Sequence, residues 1–93
     1  VNRISADSHP KLRPGCRLSE SPQQGDALLI PEGVLRLVGP GRKIVERCDG
    51  QRAVNEIVRD LTAEFPTVEP GRIETEVTAF LDRLHQKGVL DLE

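Results

Sequence analysis

Apolar and polar positions along the chain change period twice. Residues 1–10 carry no sustained period and mix both charges, which predicts a disordered arm ahead of a folded domain over residues 11–93. Pro10, Pro14, Gly15, Pro22 and Gly25 then interrupt the chain too often for a helix. Extended pieces fit between them at 17–20 and 27–30, with SPQQGD as a hairpin loop. Pro31-Glu32-Gly33 reads as a tight turn with proline in its second position, and the β-rich run 34–38 follows. Three short antiparallel strands result, and a sheet that small needs helices packed on it.

Past Gly39 the period becomes helical. Pro40 suits a first helical turn, and Ile44, Val45 and Cys48 make the stripe of a short helix closed by Gly50. Val54, Ile57, Val58, Leu61 and Phe65 line one face of a second helix, which Pro66 ends. Ala53 stands where Ser or Thr would cap this helix, with Glu56 three residues on. The capping box is half present, and a frayed start is expected. Pro70 opens a third helix striped by Ile73, Val77, Phe80, Leu81 and Leu84, with Gly88 closing it and Val89 and Leu90 set to fold back. The order is βββααα, an α+β domain with helices over one sheet face.

Composition narrows the possibilities. Phe65 and Phe80 are the only aromatics, so Leu, Ile and Val must fill the core. Cys16 and Cys48 have no ligand-spaced neighbours and read as reduced thiols of a cytoplasmic protein. No apolar run approaches the ~20 residues of a membrane helix, and no signal-peptide pattern is seen.

Candidate chemistry is scarce. His9 falls in the arm, His85 sits one step off the apolar stripe, and neither joins a cluster with zinc spacing. GPGRK at 39–43 lacks the spacing and the Lys-Ser/Thr ending of a phosphate loop. The loop serines have no nearby base, and the carboxylate pairs Glu74/Glu76 and Asp91/Glu93 read as solvated faces. No catalytic residue, cofactor or metal is expected.

CDGQRAVNEIVRDL at 48–61 has the outline of a helix-turn-helix. Charge argues against nucleic acid. Residues 1–17 hold four Lys/Arg against one Asp, but residues 18–93 hold nine against fourteen Asp/Glu, a net −5. Phosphate contacts need clustered cations, and neither the second nor the third helix has a basic face. Protein binding remains. A small open sheet exposes unpaired edges, and the run 34–38 fits two readings. Either its side chains simply face the core, or an extended peptide adds to it as another strand beside a helix.

LLIPEGVLRL at 28–37, IVERCDGQRAVNEIVRDL at 44–61 and VTAFLDRLHQKGVL at 77–90 resemble, in order and spacing, the D component of pyrroloquinoline quinone biosynthesis. That family is the prototype of the peptide-recognition domains of enzymes that modify ribosomally made peptides. The similarity runs from about Pro10 to Leu90. It implies three strands and three helices of winged-helix type. It also implies a non-catalytic chaperone that binds the ribosomal precursor peptide, bearing the Glu and Tyr later cross-linked, and presents it to a radical S-adenosylmethionine enzyme. The implied groove lies between the third strand, at Val34, Leu35, Arg36, Leu37 and Val38, and the third helix, at Ile73, Val77, Phe80 and Leu84.

The alternative is a winged-helix module that binds DNA or a regulatory protein. Two departures bear on the helix starts. The family's polar cap near position 38 is replaced by Val38-Gly39-Pro40-Gly41, and its Thr or Ser at 53 by Ala53. The stretch before Ala27 lacks firm alternation, which makes the N-terminal segment a candidate for exchange between copies in a homodimer.

Overall fold

The computed structural model describes residues 4–21, 25–37 and 39–92, with only the backbone at Glu20 and Ser21. The start of the expected arm, the centre of the SPQQGD loop and Val38 lie outside the described residues. Strand β1 (Pro10–Leu12) opens the fold, followed by β2 (Arg17–Ser21), β3 (Gly25–Ile30) and β4 (Gly33–Arg36). Helices α1 (Gly41–Glu46), α2 (Val54–Glu64) and α3 (Pro70–Gln86) come next, and β5 (Leu90–Leu92) ends the chain.

The three expected strands form one antiparallel sheet in the order β2-β3-β4. Leu28 of β3 anchors it: its side chain is fully buried, a burial that contributes about 2 kcal/mol. Ile44 of α1, Ile57 and Leu61 of α2, and Val77 and Leu81 of α3 close over it as the helical stripes require. Pro70 at the start and Gly88 just past the end bracket α3, and the Val89 amide folds back to the Leu84 carbonyl at 3.1 Å.

The described chain has five strands, not three. β1 and β5 pair antiparallel as a second sheet, with Pro10 opposite Leu92 and Leu12 opposite Leu90. Each is three residues long, too short to show a period, and the two meet only across the whole domain. β1 is also bound on its other side. Lys11 bridges Asp49, the Gly50 amide donates to the Pro10 carbonyl at 2.9 Å, and the Leu12 amide donates to the Cys48 carbonyl at 3.3 Å. The Asp49-Gly50 corner and the end of the chain are thus held by one short strand.

Residues 4–10 differ from the expected loose arm. Ile4 packs against the core, Pro10 is buried, and the carbonyls of Ser8 and Ala6 accept from the Val54 and Asn55 amides at 2.9 and 3.1 Å. Those amides are the first two of α2, which a helix cannot satisfy from within. The Ala53 amide in turn donates to Glu56 Oε1 at 2.8 Å. The helix therefore starts with its donors satisfied rather than frayed, because a segment remote in sequence replaces the missing hydroxyl.

Candidate functional site

One backbone bond fixes the orientation of the sheet edge. The Leu37 amide donates to the Asp26 carbonyl at 3.1 Å, in line with the β3–β4 register that sets Ala27 opposite Arg36 and Leu28 opposite Leu35. Antiparallel pairs alternate between bonded and non-bonded. Leu35 therefore turns its N–H and C=O towards β3, whereas Val34 and Arg36 turn theirs away. β4 ends the sheet order, and no described backbone group bonds to Val34 or Arg36 on that outer side.

The side chains alternate in step. Leu35 and Leu37 face inward, in the row of Leu28 and on the Phe80 side of the core, and Leu37 is buried. Val34 and Arg36 share the opposite face, and Val34 is 60% exposed, more than any other large apolar side chain described. The first of the two readings left open for this run holds for Leu35 and Leu37, whose side chains face the core, and beside them the outer backbone edge is unpaired among the described residues.

The edge leads into a cleft. Leu37 passes to Gly39 and Pro40, and these two line an apolar cavity of about 420 Å³ with Leu61 and Phe65 of α2, Val68 of the following turn, and Ile73 and Val77 of α3. Its polar rim is Lys43 and Glu76. That volume falls within the range of about 300–1,000 Å³ typical of ligand pockets. Gly39 has φ +58°, a left-handed value that lets the chain leave the sheet and enter α1 at the cleft's mouth.

The expected helix residues divide. Ile73 and Val77 reach the cleft, although each is mostly buried. Phe80 is partly buried and lies where Gly41 and Leu37 meet: a β-carbon on Gly41 would stand within 3.4 Å of both. Leu84 is core, beside the last turn and β5. Val38 lies outside the described residues. Phe65 and Val68 are lining residues that the sequence reading did not place in the groove. Phe65 continues the apolar stripe of α2, and Val68 sits alone between Pro66 and Pro70 with no periodic neighbour.

The corner that suggested helix-turn-helix is closed by charge pairing. Asp49 accepts from the Gln51 and Arg52 amides at 2.9 and 3.2 Å and pairs with the Arg52 guanidinium at 2.7 Å. The Gln51 amide bond leads these in holding the Asp49 carboxyl below its usual range. Arg47 pairs with Asp60 and Glu64, Lys43 pairs with Glu64, and Arg52 also reaches Asp60. The Lys43 hydrogen bond is the main reason Glu64 is lowered. Lys43, Arg47 and Arg52, cations that this corner could have offered to phosphate, are thus engaged with acids of the same surface.

Cys48 is a core thiol. Its Sγ donates to the Ile44 carbonyl at 3.3 Å, and burial, then the Asp49 charge, push it up to about 12. Cys16 and Cys48 are both free thiols. Among the described residues no His/Cys/Asp/Glu group has the form of a metal site, and no helix is long and apolar enough to cross a membrane.

Comparison with known proteins meets this geometry. Residues 27–90, from β3 to the start of β5, match the family model of Coenzyme PQQ synthesis protein D (PqqD). A PqqA binding protein of Xanthomonas axonopodis pv. citri is 38% identical over 93 residues, covering 99% of this chain and 100% of its own. One from Pseudomonas aeruginosa is 39% identical over 90 residues, 96% of each chain.

Among solved structures, the PqqD truncation of Methylobacterium extorquens PqqCD has a TM-score of 0.80 at 29% identity, covering 95% of this chain and 94% of that one. It is described as a functional, stand-alone recognition element for ribosomally synthesized and post-translationally modified peptides. PqqD from Xanthomonas campestris has a TM-score of 0.56 at 38% identity, covering 90% and 93%.

Proposed function

The chain belongs to the PqqD family, and from that membership we propose that it binds the precursor peptide PqqA in the biosynthesis of pyrroloquinoline quinone. The observation that carries the mechanism is the vacant edge of β4 running into an apolar cleft. An extended segment of the peptide adds to the sheet by bonding to the N–H and C=O of Val34 and Arg36, and sets apolar side chains into the cleft beside Ile73 and Val77. Main-chain bonds supply affinity without sequence preference, and the cleft supplies selection. Lys43 and Glu76 at the rim tolerate one polar end of the segment.

The protein contributes no catalytic group in this reading. It acts as a chaperone that holds the peptide extended for a partner enzyme, a radical S-adenosylmethionine enzyme of the pathway, and it works in the cytoplasm, where its two free thiols remain reduced. The winged-helix description belongs here too, with α2 and α3 packed beside a hairpin. Exchange of β1 between two copies is the form of homodimer that fits, because a three-residue strand held by backbone bonds on both edges could make the same bonds to a second copy.

Titration of isotope-labelled protein with synthetic PqqA tests the binding mode by NMR. Amide shifts are expected at Val34 to Leu37 and around Pro40, Phe65 and Val77. Shifts confined to the β1–β5 side would refute docking on β4.

A further inference from the structure

We propose that Arg36 selects the bound peptide by pairing with one of its carboxylates. The docked segment then carries an acidic side chain level with Arg36 on the outer face of the sheet. The proposal rests on the edge reading given above and adds to it a charge requirement.

The geometry assigns the position. Arg36 turns its N–H and C=O to the free side, so a docking strand must place a residue level with it. In either strand sense, residues level with one another point their side chains to the same face, with β-carbons about 5 Å apart. A carboxylate on the incoming residue therefore comes within reach of the guanidinium. Among the described residues no acid pairs with it. The residue directly across β3 is Ala27 and the diagonal neighbours are Gly25 and Leu29, none of them charged.

Arg36 is exposed and makes no ion pair among the described residues, although residues 18–93 carry more acids than cations. Arg42, Arg47, Arg52 and Arg72 by contrast each pair with a carboxylate. An uncommitted cation on the outer backbone edge of β4 is suited to a partner that approaches as a strand. Exposed Val34 two residues away asks for an apolar neighbour on the same face, so the favoured segment presents an acidic and an apolar side chain two residues apart.

Calorimetric titration with synthetic PqqA, at low and high salt, tests this. The proteins are wild type, Arg36→Gln and Arg36→Glu; the peptides are PqqA and single variants with each Asp or Glu changed to Lys. Arg36→Gln is expected to weaken binding about 2–5-fold and to flatten its salt dependence, the range for a cross-strand ion pair. Arg36→Glu is expected to weaken it more, and one peptide variant alone should restore that loss while binding wild type less well. Wild-type affinity in Arg36→Glu, or rescue by none or by every Lys variant, would overturn the proposal.

NMR separates the two levels. If the Val34 and Arg36 amides respond to PqqA but the charge swaps are neutral, docking on the edge stands and only selection by Arg36 falls. If those amides do not respond, both fall. Equal thermal midpoints for the variants, as expected of an exposed site, exclude unfolding as the cause.

Discussion

A β-carbon built on Gly41 would stand 3.3 Å from Cε1 of Phe80, so the bare backbone of Gly41 is what allows that ring to lie against the start of α1. The same β-carbon would stand 3.4 Å from Cβ of Leu37. Strand end, first helix and third helix thus converge on one residue without a side chain, beside the mouth of the cleft.

Gly41→Ala is therefore expected to destabilise the protein. Overpacking of this kind costs about 1–3 kcal/mol, and the removal of a glycine from a helix end returns at most ~1 kcal/mol. Gly71→Ala, in α3 with nothing within 4 Å of the new β-carbon, is expected to stabilise by roughly 0.5–1 kcal/mol. Urea midpoints of the two variants should move in opposite directions. Equal midpoints would mean that the Phe80 ring swings away freely.

Proline substitutions separate the two sides of β4. At Leu35 a proline removes a bond to β3 and should cost about 3 kcal/mol or more of stability, seen as a lower thermal midpoint. At Arg36 it removes an outward donor instead, so most of the loss should appear in PqqA affinity. A proline at 36 that binds peptide like wild type would show that the edge is not the docking strand.

Deleting residues 1–9 removes the carbonyls of Ala6 and Ser8 that cap α2. Two net hydrogen bonds at about 1 kcal/mol each set the expected loss near 2 kcal/mol. Hydrogen exchange should speed up first at the Val54 and Asn55 amides. If their protection is unchanged, the helix start does not depend on the segment.

Asp49 carries a pH signature. Its carboxyl is held below the usual range, first by the Gln51 amide and then further by Arg52, so the folded state binds its proton more weakly than the unfolded chain. The stability it contributes is present above the unfolded carboxylate pKa and is lost as pH falls through the lower folded value. The stability gap between wild type and Asp49→Ala, measured by urea unfolding, should be widest at neutral pH and should narrow in acid. Since Asp49 is exposed, solvent screening keeps the gap small, and a gap that widens in acid would contradict this assignment.

Local pattern carried much of this molecule. The stripe Val54, Ile57, Leu61 required a helix with one buried face, Pro31 after Ile30 required a turn, and Gly88 closed α3; each outcome depends on residues a few positions apart. The sequences at 28–37, 44–61 and 77–90 also carried the family, and with it the expectation of a peptide partner.

Other features were decided only when distant segments met. β1 and β5 are too short to signal themselves, and each becomes a strand because the other supplies its hydrogen bonds. α2 needs no polar cap because Ala6 and Ser8 arrive from the other end of the chain. Which amides of β4 face outward is likewise invisible in Val-Leu-Arg-Leu, since alternation gives two answers and only the bond from Leu37 to Asp26 chooses between them. The cleft follows the same logic: Pro40, Phe65, Val68 and Ile73 share no period, and their common wall exists only because three helix ends converge. Short-range periodicity thus specified the helices and the central hairpin, because those bonds close within a few residues. The sealed and open edges belong to tertiary structure, because a backbone group is free or paired only according to what the rest of the chain brings to it.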